Sequence, residues 1–537
     1  MILTILLLHL LLPGNAQLSL PNPPIQPQSP DAQRSGNLPS SNRVSWRNSS
    51  ALGDVPPGGY YDAGDYVKFT YPLTYTLTSI CWGAIDFGKG YDLANQTAYL
   101  DSMLRWGLDW LIAAHPDNNT LIVQVGDPSI DNNYWGGDQN IPTPRPSYQI
   151  DSGQCSSPSI GGIFCLLFPL FFPYSLPNEY SDTSSPASLT NTTYASTLLS
   201  HAVELFTFAN STLPLQTYQT AVPQAASSYA SSGYTDELVL AGLFLAAALN
   251  STEYHTAALS LYRNASLANG NGALNWDSKT PALAVLGLQV SSAVAPDAVG
   301  TWQAEAERYL DNVVDNKSNG RLTKGHPKDI TCAWIIVLPG DSDSASLNPA
   351  LNIAMLMLHY APMATTKTKT SSYETFAASQ LAYTLGSNPM SAPYINPHTA
   401  LASGGTDIGA IDTSPPTEAH VLYGAVVGGP DKNDRFWDIR SDYPQTEVAL
   451  DYNAPILTLV AANVLSNSAD PFYTRLTAGV YASKRPSGKP CDAAFPCGHH
   501  GLSLGGKIAI GVLVPIAVLA IGLAAWVVSR RSRRKRV

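Results

Sequence analysis

Apolar residues recur at intervals of three and four along most of this 537-residue chain, and strand-like alternation is scarce. In "TAYLDSMLRWGLDWLIAAHP", Leu100, Met103, Leu104, Leu108 and Leu111 share one helical face. Asp101 and Arg105 stand four apart as an ion pair, and Pro116 stops the repeat. "YASTLLSHAVELFTFAN" stacks Leu198, Ala202, Leu205, Phe206 and Ala209 in the same way. "GYTDELVLAGLFLAAALN" predicts a helix with Thr235 as N-cap and two acids in the first turn, where the helix dipole favours them. "ASLNPALNIAMLMLHYAP" and "YETFAASQLAYTLG" repeat the period. Many antiparallel helices joined by long irregular loops predict an all-α domain whose loops carry the chemistry.

Two segments break the pattern. The apolar run from Ile160 to Pro177 is too short and proline-broken to span a membrane, yet too apolar for a surface loop. "HPKDITCAWIIVLP", His326 to Pro339, is equally awkward between polar neighbours. Both have the look of misjoined coding sequence, affecting roughly 153–178 and 325–339. At the N-terminus, an apolar run ending in Gly14-Asn15-Ala16 predicts a signal peptide over 1–16. Residues 17–42, rich in Pro, Ser, Asn and Gln, read as a disordered linker to a single domain over 43–476, followed by a juxtamembrane stalk over 477–507. Ile508 to Val528 is uncharged and long enough to cross a ~30 Å hydrocarbon layer. The tail that follows, "SRRSRRKRV" over 529–537, places itself in the cytosol and the domain outside, a single-pass type I arrangement at the cell membrane.

Composition narrows the partners. A formal net charge of −10 argues against nucleic acid, whose phosphates call for a basic face. N-x-[ST] sequons at Asn48, Asn95, Asn118, Asn191, Asn210, Asn250, Asn264 and Asn316 agree with an extracellular glycoprotein. Six cysteines are too few for a disulfide scaffold, and Cys491 with Cys497 is expected to close a small loop in the stalk.

The candidate chemistry is acidic. "YYDAGDYVKF" sets Asp62 and Asp65 three apart among aromatic residues. Two close carboxylates can hold one water, one as base and one as orienting acceptor, while a distant acid protonates a leaving oxygen. An Asx-turn or a calcium loop would use the same residues. A second acidic stretch lies near the C-terminus, "FWDIRSDYPQTEVALDYNAPILTL". It contains the pattern aromatic-x-Asp-x4-aromatic-x3-Glu-x-Ala-x3-Asn-Ala from Phe436 to Ala454.

Together with "GGYYDAGDYVKFTYPL", this stretch resembles the family 9 glycoside hydrolases, mostly endo-β-1,4-glucanases. "SWRNSSAL", "VQVGD", "YWGG", "RPSY", "SSGYTDEL", "NWDSK", "YTLGSNP" and "GAVVGGPDKNDRFWD" extend the likeness from about Trp46 to about Val464. The resemblance implies an (α/α)6 toroid of six inner and six outer helices. It implies inversion of configuration, with Asp65 as general base, Asp62 as second water ligand and Glu447 as general acid. Burial between Tyr443 and Val448 would keep Glu447 protonated. Tyr61, Tyr134, Trp135, Trp276, His398 and Tyr452 are the expected sugar contacts. No cofactor is needed for the chemistry, but Ser232, Gly233, Asp236, Glu237 and Asp277 resemble a structural calcium loop, with ordinary helix capping as the alternative.

The chain also departs from the family. Asn132 follows Asp131 where His is frequent, Ala400 stands where an Arg would follow His398, and Asn348-Pro349 replaces an Arg-Tyr pair. These differences resemble a fungal, membrane-anchored branch. The expected protein is a monomeric, membrane-tethered hydrolase of a β-1,4-glucan; the competing expectation is a catalytically impaired glucan-binding protein of the cell surface.

Overall fold

The computed structural model describes residues 29–151, 191–211, 213–315, 321–322, 335–338, 342–391, 393–394, 408–414, 416, 422, 424–466 and 483–496. Among them are ten long helices: α1 Thr70–Leu93, α2 Thr97–Ala114, α3 Thr192–Ser211, α4 Thr235–Leu249, α5 Thr252–Asn264, α6 Thr280–Val294, α7 Val299–Val314, α8 Leu347–Tyr360, α9 Lys367–Thr384 and α10 Leu450–Ser466. Two small antiparallel sheets accompany them. One orders β1 Lys68–Phe69, β2 Thr120–Val125 and β3 Ser147–Asp151; the other pairs β4 Arg321–Leu322 with β5 Ile336–Val337.

The helices are of two kinds. In α4 every residue from Asp236 to Ala246 is buried, in α6 every residue from Pro281 to Ser291, and in α8 every residue from Leu347 to Met357. Helices α1 and α10 are buried almost as fully. By contrast α5 buries only His255, Ala258 and Tyr262, and α7 a single stripe from Trp302 to Val313. A helix apolar on all sides must lie inside, and a striped one covers it from outside. Inner helices α1, α4, α6, α8 and α10 thus alternate with outer helices α2, α3, α5, α7 and α9. Outer helices α2 and α3 follow one another directly among the described residues, with 152–190 between them outside those described. Connections are capped locally. Asn250 closes α4 in the left-handed region at φ 49°, and the Ser251 side chain then accepts from the Tyr254 N–H to start α5.

The predicted faces of α2 and α3 are the buried ones, and Arg105 Nε meets Asp101 Oδ1 at 2.9 Å. Two expectations are corrected. Thr235 is the first residue of α4 and makes no side-chain cap; Tyr234 occupies the N-cap position. From Ser29 onward the supposed linker is packed structure. Arg34 is 2 % exposed, pairs with Asp31 at 2.9 Å and lies over the Trp106 ring, an apolar and charged lining that composition alone does not reveal. The last part of the awkward second segment belongs to the core: Ile335, Ile336 and Leu338 are buried, and the Ile336 N–H donates to Gln380. The expected membrane span at 508–528 lies outside the described residues. Among those described, Tyr443–Ser466 is long and apolar enough to cross a membrane, but 83 % of its apolar window is buried inside the domain.

A second compact unit begins at Cys491. Its described part, 491–496, is a turn in which Asp492 accepts from the Ala494 and Phe495 N–H groups. Cys491 is disulfide-bonded, and its expected partner Cys497 is outside the described residues.

Helices α1 and α10 bring the two ends of the domain together, and glycine makes their approach possible. A Cβ on Gly83 would sit 1.8 Å from Thr458 Oγ1, and one on Gly90 would sit 2.2 Å from the Ala461 carbonyl oxygen. Gly83→Ala is therefore expected to destabilise the domain by about 1–3 kcal/mol through overpacking. Thermal unfolding should show a lowered Tm that Thr458→Ala partly restores; an unchanged Tm for Gly83→Ala would contradict the close packing.

Candidate active site

The loop carrying the two aspartates rests on buried charge. Asp54 accepts from Arg145 Nε at 2.7 Å and Nη2 at 3.0 Å, and its Oδ2 meets Lys68 Nζ at 2.8 Å. Burial alone would push the Asp54 carboxyl up, but the two cations hold it below the usual carboxylate range. Burial pushes the Lys68 ammonium down to about 8 against the pull of Asp54. From this anchor Arg145 Nη2 donates to the Tyr66 carbonyl at 2.8 Å, and Lys68 Nζ to that of Gly58 at 2.7 Å. The Tyr66 N–H donates to Asp131 Oδ2 at 2.6 Å, and the Gln33 side chain reaches the Ala63 carbonyl at 2.5 Å. The backbone on both sides of Asp65 is thus held by the interior of the domain.

The second acidic motif docks onto this loop. Glu447 Oε1 accepts from the Gly64 N–H at 2.9 Å across 383 positions of sequence, and the Leu450 N–H at the start of α10 donates to the Asp62 carbonyl at 3.0 Å. A Cβ on Gly64 would lie 2.7 Å from Glu447 Oε1, so a side chain there would push the carboxyl aside. Asp62, Asp65 and Glu447 are brought together.

Their ionisations oppose one another. Burial pushes Asp62 well above the carboxylate range, with the charges of Asp451 and Glu447 adding to it and the Tyr229 hydroxyl working against it. Asp65 is pushed up by burial, then by Asp62, Asp131 and Glu447. Glu447 is raised by burial and partly relieved by the Gly64 N–H. Asp451, 1 % exposed and hydrogen-bonded to Asn348 Nδ2 at 3.1 Å, is raised by burial to about 7. Such a cluster holds protons to higher pH than separate carboxyls would, with one set of apparent pKa values for the group. It can offer a protonated and an ionised carboxyl at once, the requirement for acid and base in one reaction.

Asp62 Oδ2 accepts from the Tyr229 hydroxyl, while Oδ1 has no hydrogen-bond partner among the described residues. Tyr229 is in turn packed edge-on against Phe69 at 4.9 Å and Trp276 at 4.8 Å. Trp276, Tyr134, Trp135 and Tyr452 are half-buried, each with surface to offer a ligand. Trp135 Nε1 donates to the Ser414 carbonyl at 2.9 Å, and the Tyr134 hydroxyl to that of Gly137 at 2.8 Å. Tyr452 feels the charges of Asp451, Glu447 and Asp62. Tyr61 is a correction: its ring is 0 % exposed, its hydroxyl is 2.8 Å from Ser50 Oγ, and it presents no face to a sugar. His398 is outside the described residues. Sequence reasoning missed Tyr229, Asp54, Lys68, Asp131 and Arg145. Arg145 opens "RPSY", Lys68 lies within "YYDAGDYVKF" and Asp131 precedes the departure at Asn132, but none of these was given a role, and nothing local marks Tyr229.

The suggested calcium residues lie near the start of α4. The Ser232 N–H donates to Asp277 Oδ1 at 2.8 Å, the Lys279 N–H to Asp236 Oδ2 at 2.7 Å, and Lys279 Nζ meets Glu237 Oε1 at 3.1 Å. Glu237 Oε2 is buried with no hydrogen-bond partner among the described residues, and an orphaned hard oxygen fits a cation that takes oxygen ligands. Asp236 Oδ2, Glu237 Oε1 and Asp277 Oδ1 are engaged within the protein, and the alternative of helix capping is not realised, since α4 starts without a side-chain cap.

A family model described as Glycosyl hydrolase family 9 matches residues 30–460. The chain is 31 % identical over 456 residues to Endoglucanase A of Bacillus pumilus, covering 81 % of this chain and 64 % of that protein. It is 31 % identical over 478 residues to an endoglucanase of Phaseolus vulgaris, with 80 % and 88 % covered. The chain spans 64 %, 41 % and 65 % of three bacterial endoglucanases it matches, less than two thirds of each. Among solved structures, an endoglucanase from the termite Nasutitermes takasagoensis superposes with a TM-score of 0.70 at 32 % identity, covering 82 % of this chain and 97 % of that one. Endoglucanase CelQ from Clostridium thermocellum, solved with cellotriose, gives a TM-score of 0.65 at 26 % identity, covering 83 % and 70 %.

Gly64→Ala is expected to displace the Glu447 carboxyl while leaving the buried scaffold intact. A shift near 1 Å in a reacting group costs on the order of 10²-fold in rate. Steady-state kinetics on a soluble cello-oligosaccharide should show that loss in kcat with an unchanged Tm; full activity would mean Glu447 does not work from this position.

Proposed function

The chain belongs to glycosyl hydrolase family 9, and we propose that it hydrolyses internal β-1,4-glucosidic bonds of a cellulose-like glucan with inversion. The observation that carries this reading is the hydrogen bond from the Gly64 N–H to Glu447, which joins the two acidic motifs in one cluster. In this mechanism Asp65 takes a proton from the attacking water as Asp62 Oδ1 orients it. Glu447 gives its proton to the leaving oxygen from the other side of the bond. The Tyr229 hydroxyl favours the ionised form of Asp62 and fixes its direction. Burial of Glu447 favours the protonated form that a general acid needs. Trp276 and Tyr452, with Tyr134 and Trp135 further out, supply faces for the C–H surfaces of successive sugar rings. The cellotriose complex of CelQ supports a glucan ligand for a fold of this kind.

The reading places the domain outside the cell on a single membrane span at 508–528, with the family's (α/α)6 toroid as its fold. Support comes from the basic tail and from the sequons, since Asn48, Asn95, Asn118, Asn191, Asn210, Asn250 and Asn264 are all exposed. A structural calcium would be held by Asp236, Glu237 and Asp277 with carbonyls of Ser232 and Gly233, supplying positive charge near the start of α4. Added Ca²⁺ is expected to raise Tm and chelator to lower it, an effect lost in Glu237→Gln; no response to either would remove calcium from the account.

Release of reducing ends from carboxymethyl cellulose tests the activity. Asp65→Asn and Glu447→Gln are each expected to lose about 10²–10⁴-fold in kcat. Activity should fall at low pH as the base protonates and at high pH as Glu447 loses its proton. Glu447→Gln should abolish the alkaline limb. Wild-type inactivity would favour the glucan-binding alternative, and unchanged activity in either variant would refute the assigned roles.

A further inference from the structure

Away from the carboxylate cluster, two helices bring a different donor set together. His115 follows the last residue of α2, where its backbone N–H donates to Leu111 and Ile112 and fixes the residue on the helix end. His201 and Glu204 stand three apart on α3 and so share a face. His115 Nδ1 is 2.7 Å from His201 Nδ1, and the rings meet edge-on with centroids 4.9 Å apart. One ring nitrogen from each histidine and one carboxylate oxygen of Glu204 all lie within 4.8 Å of one another. The Ser200 hydroxyl donates to Glu204 Oε1 at 2.9 Å, restricting the carboxylate from outside, the usual task of a residue behind a metal ligand. His115 is buried, whereas His201 and Glu204 are half-buried, so the cluster is reachable from solvent.

We propose that His115, His201 and Glu204 bind a divalent transition-metal ion, Zn²⁺ by ligand chemistry, which clips the end of α2 to α3. Two imidazoles and a carboxylate suit zinc, cobalt, nickel or copper; calcium and magnesium prefer oxygen alone. Three protein ligands leave a further position for solvent, and separations under 4.8 Å lie within reach of metal–ligand bonds of about 2.0–2.2 Å after small side-chain adjustments. None of the three belongs to the catalytic cluster, and the proposal stands whether or not the chain hydrolyses glucan.

The test uses the full-length chain purified in detergent, stripped of metal and titrated with CoCl₂ and ZnCl₂. One equivalent of Co²⁺ should produce a visible ligand-field absorption band that Zn²⁺ displaces, and Zn²⁺ should raise Tm by several degrees. His201→Ala should lose both signals and the isosteric Glu204→Gln should weaken both at least tenfold in apparent affinity. Metal-free Tm and hydrolysis of carboxymethyl cellulose should remain at wild-type values in Glu204→Gln. Absence of a band and shift in the wild type overturns the proposal. Retention of both in the two variants overturns it equally, because the metal would then sit elsewhere.

Discussion

The site depends on a contact between the two ends of the domain. The loop with Asp62 and Asp65 precedes α1, and Glu447 precedes α10 by three residues. What brings Glu447 to the aspartate loop is the packing of these two inner helices, close enough that glycine is required at Gly83 and Gly90. Two hydrogen bonds then fix the register: Leu450 N–H to the Asp62 carbonyl, and Gly64 N–H to the Glu447 carboxylate. A helix pair sets the coarse distance and two backbone amides set the fine one. Neither motif alone would form the site.

Crowding acidic groups has an electrostatic cost, and the structure manages it in layers. The ion pairs of Asp54 with Lys68 and Arg145 lie beneath the loop and tie its carbonyls down without neutralising Asp62 or Asp65. Buried pairs of this kind add little net stability, but removing one partner leaves a stranded charge, so they hold geometry well. Closer in, Tyr229 and Asn348 each give a neutral hydrogen bond to an acid of the cluster. Burial first, and for Asp62, Asp65 and Asp451 the residual repulsion as well, raises the carboxyl pKa values, the condition under which one carboxyl can stay protonated beside an ionised one. Asn348 is one of the departures from the family pattern, and it leaves Asp451 with a neutral partner.

The legible parts of the sequence were those with a local period or a local motif. The stripes on α2 and α3 could be read because burial on one face leaves a pattern at 3.6 residues. The inner helices α4 and α8 are apolar throughout, so their type was clear but their packing partners were not, while α6, equally apolar, was not singled out. Both acidic motifs were visible, and their union was supplied by family likeness. Spacing alone cannot reveal a contact across 383 positions. Tyr229 was missed because its role arises from tertiary placement, and Tyr61 was misread because adjacency to Asp62 does not specify which way a ring points. Residues 29–42 look like linker by composition, yet Arg34 and Gln33 are engaged in specific contacts, and composition does not register contacts. The His115, His201 and Glu204 group had no sequence signal, since its halves lie on different helices.

The central claim is that water attacks from the Asp62–Asp65 side as Glu447 protonates the opposite side of the same bond. Proton NMR during the first minutes of cello-oligosaccharide hydrolysis, before mutarotation, reads this directly. Initial release of the α-anomer is the predicted result. Initial release of the β-anomer would require a covalent intermediate on one of the carboxylates and would contradict the account.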